Sequence, residues 1–185
     1  MADVNIYIEG LSDKGFLEAI FEKHFPGRRR PNFIDLEGNY SRLPQKSNRL
    51  KEGKPNLIIL DSDVNNSKLV ANVLKSIADE EEAVGRSLLY QCFFIERNLE
   101  DLVRKICPAE EEGLWTCIDQ YAVCNSGLSR TDLRPVDNKS KVYIYVNAHN
   151  VLDSLKATTF QNPDIWDLDH DALTPLLDFL KTNLP

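Results

Sequence analysis

Two short stretches of the chain run from apolar residues into carboxylates. Ile6-Tyr7-Ile8 leads into Glu9-Gly10-Leu11-Ser12-Asp13, and Asn56-Leu57-Ile58-Ile59-Leu60 leads into Asp61-Ser62-Asp63. In extended backbone the side chains at i and i+2 point to one face, so Asp61 and Asp63 can face one cavity. Like charges held close raise each other's pKa unless a cation neutralises them. Glu9 on a neighbouring strand would add a third oxygen donor, and Asp13, four residues later, can reach in from the rim. Hard cations such as Mg2+ or Mn2+ take oxygen ligands and need only a few carboxylates plus a substrate phosphate. Such ions activate water and stabilise a leaving oxygen in phosphoryl chemistry. Each piece also has a plain reading: Asp-x-Asp as a turn or N-cap, Glu-Gly as a turn, Asp13 as a first-turn helix residue.

The elements that must position these groups follow from periodicity. Val4 to Ile8 alternates and reads as a strand. Ser12 is a good N-cap, Phe16, Leu17, Ile20 and Phe21 recur at helical spacing to about His24, and Pro26-Gly27 ends the helix. Asn32 to Leu36 reads as a second strand. Leu57 to Leu60 is a continuous apolar run of the kind buried on both faces of a parallel sheet. Leu69, Val70, Val73, Leu74 and Ile77 form one helical stripe. Ser87 to Ile95 reads as a strand, and Leu99 to Ile106 as a helix. Val142 to Val146 has strand-like alternation. Leu173, Leu176, Leu177 and Leu180 suit a docked C-terminal helix. Strands alternating with helices predict an α/β protein with a mainly parallel sheet, whose ligands sit beyond the carboxyl ends of the strands. Glu9, Asp61 and Asp63 are all predicted there.

With 185 residues, 42% of them hydrophobic, the chain suits a single domain over residues 1–185, with a possible insertion at about 108–138. No apolar run approaches the roughly 20 residues of a membrane span. The polar start Met1-Ala2-Asp3-Val4-Asn5 is unlike a signal peptide, so a cytoplasmic location is expected. Cys92, Cys107, Cys117 and Cys124 form no Cys-x-x-Cys pair, which argues for reduced thiols in or near the core rather than a zinc site. A net charge of −7 argues against a general nucleic-acid coat. Yet residues 28–54 hold eight basic residues against three acids. Arg28, Arg29, Arg30, Arg42, Lys46 and Arg49 belong to this segment, which can hold a phosphate backbone beside the site or form a solvated surface loop.

The segment Ile6-Tyr7-Ile8-Glu9-Gly10-Leu11-Ser12-Asp13-Lys14-Gly15-Phe16-Leu17-Glu18-Ala19-Ile20 resembles the first motif of Toprim domains, and Asn56 to Asn66 resembles their Asp-x-Asp motif. Asp13, four residues after Glu9, is similar to the pattern in overcoming-lysogenisation-defect (OLD) nucleases. Asn98 to Val103, Asp137 to Tyr145 and the C-terminal end are similar to segments of small stand-alone bacterial Toprim-like proteins. The resemblance implies a Rossmann-like Toprim fold, with Glu9 as general acid/base and metal ligand and with Asp61 and Asp63 holding Mg2+. It implies Asp13 as a ligand of a second metal, Glu100 as a further metal ligand, and Lys141 or Lys139 as the cation that stabilises charge on phosphorus. It makes Lys139 to His149 a helix, against the strand-like alternation. OLD proteins carry an ATPase domain, so dependence on a partner such as an ATPase is also expected.

Three functional readings follow. The first is a Mg2+-dependent enzyme acting on phosphodiesters, most simply a nuclease guided by the 28–54 segment. The second is a non-catalytic metal- and nucleic-acid-binding accessory module working with a partner protein. The third is a haloacid-dehalogenase-type phosphatase, because Asp61-Ser62-Asp63-Val64 resembles that nucleophile motif and Asp167 and Asp169 supply a later acidic pair.

Overall fold

The computed structural model describes residues 4–38, 55–62, 67–85, 90–127, 136–149 and 155–184. Four parallel strands form one sheet in the order β2-β1-β3-β4: β1 (Asn5–Ile8), β2 (Asn32–Asp35), β3 (Asn56–Asp61) and β4 (Tyr90–Ile95). Helices cover both faces, as expected for a Rossmann-like α/β protein. α1 (Leu11–His24), α3 (Leu99–Lys105), α4 (Glu112–Gly127), α5 (Asn138–Ala148) and α7 (Thr174–Asn183) share an apolar core with Ile6, Ile8, Leu57 and Ile59. On the other face Val73 and Ile77 of α2 (Ser67–Val84) pack against Tyr7, Ile34, Ile58 and Leu60. Alternate residues of β1 and β3 thus serve opposite cores, which is why Leu57 to Leu60 is apolar throughout. The predicted α2 stripe is narrower than its sequence: Leu74 stays 42% exposed, and the side chains of Leu69 and Val70 lie outside the described ones.

Register is fixed at the amino ends of the strands by amides. Asn5 lies opposite both Asn32 and Asn56. Its Nδ2 donates to Asn56 Oδ1 and its Oδ1 accepts from Asn32 Nδ2, each at 3.0 Å. Asn5 and Asn56 are buried, and a slip of one residue would strand these amides without partners. Chain direction diverges from β1 to β2 on one side and to β3 on the other, a topological switch point at the carboxyl edge.

Several elements differ from their predicted form. The N-cap of α1 is Gly10, not Ser12, and the Asp13 carboxylate accepts the Gly10 N–H at 3.0 Å. Residues 138–148 are helical despite their alternation. Asp137 Oδ1 accepts the Ser140 N–H at 2.7 Å, and Val142, Tyr145 and Val146 bury one helical face. Within the stretch read as a possible insertion, α4 carries Trp115 and Ile118 into the same core as α1 and β1. Trp115 stacks on Tyr145 with centroids 4.7 Å apart. Cys92 and Cys107 are half-buried and burial pushes both thiols up to about 11, whereas Cys117 and Cys124 are exposed rather than near the core. Among the described residues no helix is long and apolar enough to cross a membrane.

α6 (Ala157–Phe160) crosses α1 at Gly15. A Cβ on Gly15 would lie 2.6 Å from the Leu155 carbonyl oxygen and 2.9 Å from two backbone atoms of Lys156. Backbone cannot swing aside as a side-chain tip can, so this contact outweighs the gain of roughly 1 kcal/mol that alanine brings to a helix interior. Gly15→Ala is expected to lower the unfolding free energy by about 1–3 kcal/mol in urea titration. Gly113→Ala, where nothing lies within 4 Å, is expected to raise it by up to about 0.5 kcal/mol.

Candidate active site

At the switch point a cavity of about 760 Å3 opens over the carboxyl ends of the strands. Glu9 lines it just past β1, Asp61 at the end of β3, Asp13 from the first turn of α1 and Glu100 from the first turn of α3. Asp61 keeps the side-chain parity of Leu57 and Ile59, which turns it toward the α1 and α3 side. Its backbone is held from the next residue: Ser62 N donates to Ile95 O at 2.9 Å, and Ser62 Oγ accepts the Arg97 N–H at 2.9 Å. Asn98 caps α3 by accepting the Asp101 N–H at 2.8 Å, which sets Glu100 on the cavity wall.

The electrostatics are adverse. Burial first, then Asp13, Glu9 and Glu100, push the Asp61 carboxyl up to about 8, and the Leu99 N–H offsets only part of this. Asp61 Oδ1 is buried with no hydrogen-bond partner. Asp13 is 8% exposed. Burial and the charges of Glu9 and Glu100 raise it to about 7, against hydrogen bonding by the Gly10 backbone. The donors are all hard oxygens, and an orphaned buried oxygen among like charges is the condition a divalent cation relieves. Among the described residues, no three His, Cys, Asp or Glu side chains stand close enough to form a complete metal site. This still fits Mg2+, which keeps waters and takes substrate phosphate alongside one or two carboxylates. Asp61, with its unpartnered oxygen, and Asp13 are the residues that could hold it, with Glu9 and Glu100 on the same cavity. Asp63 lies outside the described residues.

The other predicted site residues fall elsewhere. Lys141 does not line the cavity. Its Nζ lies 2.8 Å from Asp119 Oδ1, while Arg104 takes Asp119 Oδ2 at 2.7 Å, and hydrogen bonding from Lys141 holds the Asp119 carboxyl below its ordinary value. Among the described residues, the lysines on the cavity wall are Lys14, Lys139 and Lys156. Arg28, Arg29 and Arg30 follow the C-terminal end of α1, a helix length of roughly 20 Å from Asp13. There Arg28 donates to the Leu184 carbonyl oxygen at 3.2 Å, and Arg30 pairs with Glu22 and with Glu18. None of the three lines the cavity, although Arg30 reaches Glu18, which does. Arg42, Lys46 and Arg49 lie outside the described residues. Asp169 pairs with Lys23 at 2.7 Å, and the Asp167 carboxylate accepts the Asp169 N–H. That pair sits by the far end of α1, away from Asp61, and so lacks the proximity a dehalogenase-type arrangement needs.

Sequence reasoning missed Glu18, Asp35, Glu37 and Tyr143, which also line the cavity. Asp35 ends β2, so the apolar-to-acid transition that singles out Glu9 and Asp61 was available for it. Glu37 sits in a turn at φ 56, donates its N–H to Asp35 Oδ1 at 2.6 Å, and precedes Gly38, whose N–H donates to Glu9 O at 2.7 Å.

The raised carboxyls set a pH dependence of opposite sign to the usual acid case. Between the unfolded carboxylate value near 3.8 and the folded values of about 7 and 8, the folded protein holds protons that the unfolded chain has released. Stability in metal-free buffer is therefore expected to fall as pH rises through that window and to level off above it. Asp61→Asn is expected to flatten the profile and to raise the unfolding free energy at pH 8 by roughly 2 kcal/mol. Urea titrations in EDTA across that range check this, and a variant no more stable than wild type at pH 8 would remove the desolvated carboxylate from the account.

No family model and no curated protein matches the sequence. Among solved structures, the chain is similar to the C-terminal region of the Burkholderia pseudomallei OLD protein, at 15% identity and a TM-score of 0.49, over 98% of each chain. A likeness at that level transfers no residue role, and the site stands on its own geometry.

Proposed function

We propose that the cavity is the active site of a Mg2+- or Mn2+-dependent phosphoryl-transfer enzyme of the Toprim type, most simply one that hydrolyses phosphodiesters. The supporting observation is the buried, unpartnered Asp61 Oδ1 among Asp13, Glu9 and Glu100, faced by lysines across the same cavity. Carboxylates and ammonium groups lining one cavity match an anionic substrate that arrives with a metal to offset the acids. A bound divalent ion would supply Lewis-acid stabilisation of charge on the phosphoryl oxygens. Asp61 and Asp13 hold position as its oxygen ligands, with Asp63 and Glu100 as candidate additions. Glu9, beyond the end of β1, accepts the proton of the attacking water on its carboxylate and returns it to the leaving oxygen. Lys139 places its ammonium where negative charge grows on the phosphoryl group. This is the role the sequence resemblance gives to either Lys139 or Lys141, and Asp119 engages Lys141 instead.

Cleavage of end-labelled oligonucleotides tests the reading. Activity is expected with Mg2+ or Mn2+, to vanish in EDTA, and to fall roughly 100-fold or more in Asp61→Asn and Glu9→Gln. Lys139→Met is expected to lower it as well, whereas Lys141→Met is expected to retain it and lose stability only. Trace activity identical in all variants would expose a contaminant and sink the proposal. Thermal stabilisation by Mg2+ that requires Asp61, without turnover on any nucleic acid, would favour the non-catalytic accessory module.

A further inference from the structure

Among the described residues, the cavity wall carries one aromatic side chain, which the proposed chemistry does not use. Tyr143 lies on α5 one turn beyond Lys139, and both line the cavity. Residues at i and i+4 share a helix face. Tyr143 is only partly buried, and one side of it packs against the main core. Buried Val142, Tyr145 and Val146 fix the helix beneath it. The side chain is thus anchored against the core and still reaches the cavity, with a cation one turn away.

Two of the cavity's acids are recessed. Asp13 is 8% exposed and Asp61 Oδ1 has no contact with solvent. A duplex is a stiff rod with its bases stacked inside, and it offers a ring on a protein wall no base face without unpairing. An unpaired strand can dip a phosphate to the floor and lay the adjoining base on an aromatic side chain. A volume of about 760 Å3 lies within the usual range of small-ligand sites.

We propose that the substrate enters as unpaired nucleic acid, such as a single strand, flap or frayed end, with one base stacked on Tyr143 and the adjoining phosphate against Lys139. The proposal rests on reading the cavity as a phosphodiester site, and it names the form of that substrate. Tyr143 then acts as a specificity residue, positioning the strand without taking part in bond breaking.

The test uses a short single strand containing 2-aminopurine, whose fluorescence is quenched by stacking, titrated into the full chain in Ca2+. Wild type and Tyr143→Phe are expected to quench it. Tyr143→Leu, which keeps apolar packing and loses the π face, is expected to bind roughly 5- to 100-fold more weakly without quenching. The same strand annealed to its complement is expected to compete poorly. Equal binding and quenching by Tyr143→Leu, or competition by duplex as strong as by single strand, would overturn the proposal. The comparison of strand with duplex on wild type decides it even where Tyr143→Leu does not fold. Cleavage that needs Asp61 but is indifferent to Tyr143→Leu removes the stacking role alone. Ring-dependent quenching with no turnover in Mg2+ removes the catalytic reading alone.

Discussion

Carboxylates held out of water beside one another are the constraint around which this fold is arranged. Asp61 and Asp13 are pushed up to about 8 and 7 by burial and by their acidic neighbours. The backbone hydrogen bonds to Asp13 and Asp61 offset only part of this, so the rest of the chain must impose the arrangement. The sheet imposes Asp61 by fixing its parity, and Ser62 ties the strand end to β4. The packing of α1 under α6 at Gly15 imposes Asp13. Strain of this kind persists only where surrounding structure over-determines it, and stability given up at a site is a recurrent companion of function.

The second layer of charge has a different purpose. Arg104, Lys141 and Asp119 form a satisfied cluster that ties α3, α4 and α5 together. Arg104 also lies 5.3 Å from the Trp115 ring centroid. The cations of this cluster are occupied with holding helices in place. Those on the cavity wall come from α1, the first turn of α5 and the residue before α6. About half a turn of helix, the two-residue step from Lys139 to Lys141, decides which of two neighbouring lysines belongs to which layer.

The strands and the principal acids were legible because the signal is local. An apolar run with a carboxylate at its end reports both burial and a strand terminus, and Glu9 and Asp61 follow from it. Asp35 obeys the same rule but ends a run of only two apolar residues. The helix over 138–148 was ambiguous from alternation alone, since Val142, Tyr145 and Val146 fit a helical face equally well, and the cap at Asp137 tips the balance. Tyr143 had no local signal at all: its place depends on how α5 lies against the core. Arg28 to Arg30 misled for the converse reason. They lie between the two acidic motifs in sequence, but the length of α1 carries their backbone toward the opposite edge of the sheet, and Arg30, the one that reaches back to Glu18, is paired with it and with Glu22.

The asparagine ladder on β2, β1 and β3 carries a consequence for how the molecule is assembled. Its central amide bonds to both flanking strands at once, so each crossover unit is checked against the same residue. A nascent sheet with either flank displaced leaves a buried amide unmatched and is easily undone. Alignment is thus secured at the edge away from the cavity, by amides that take no part in lining it.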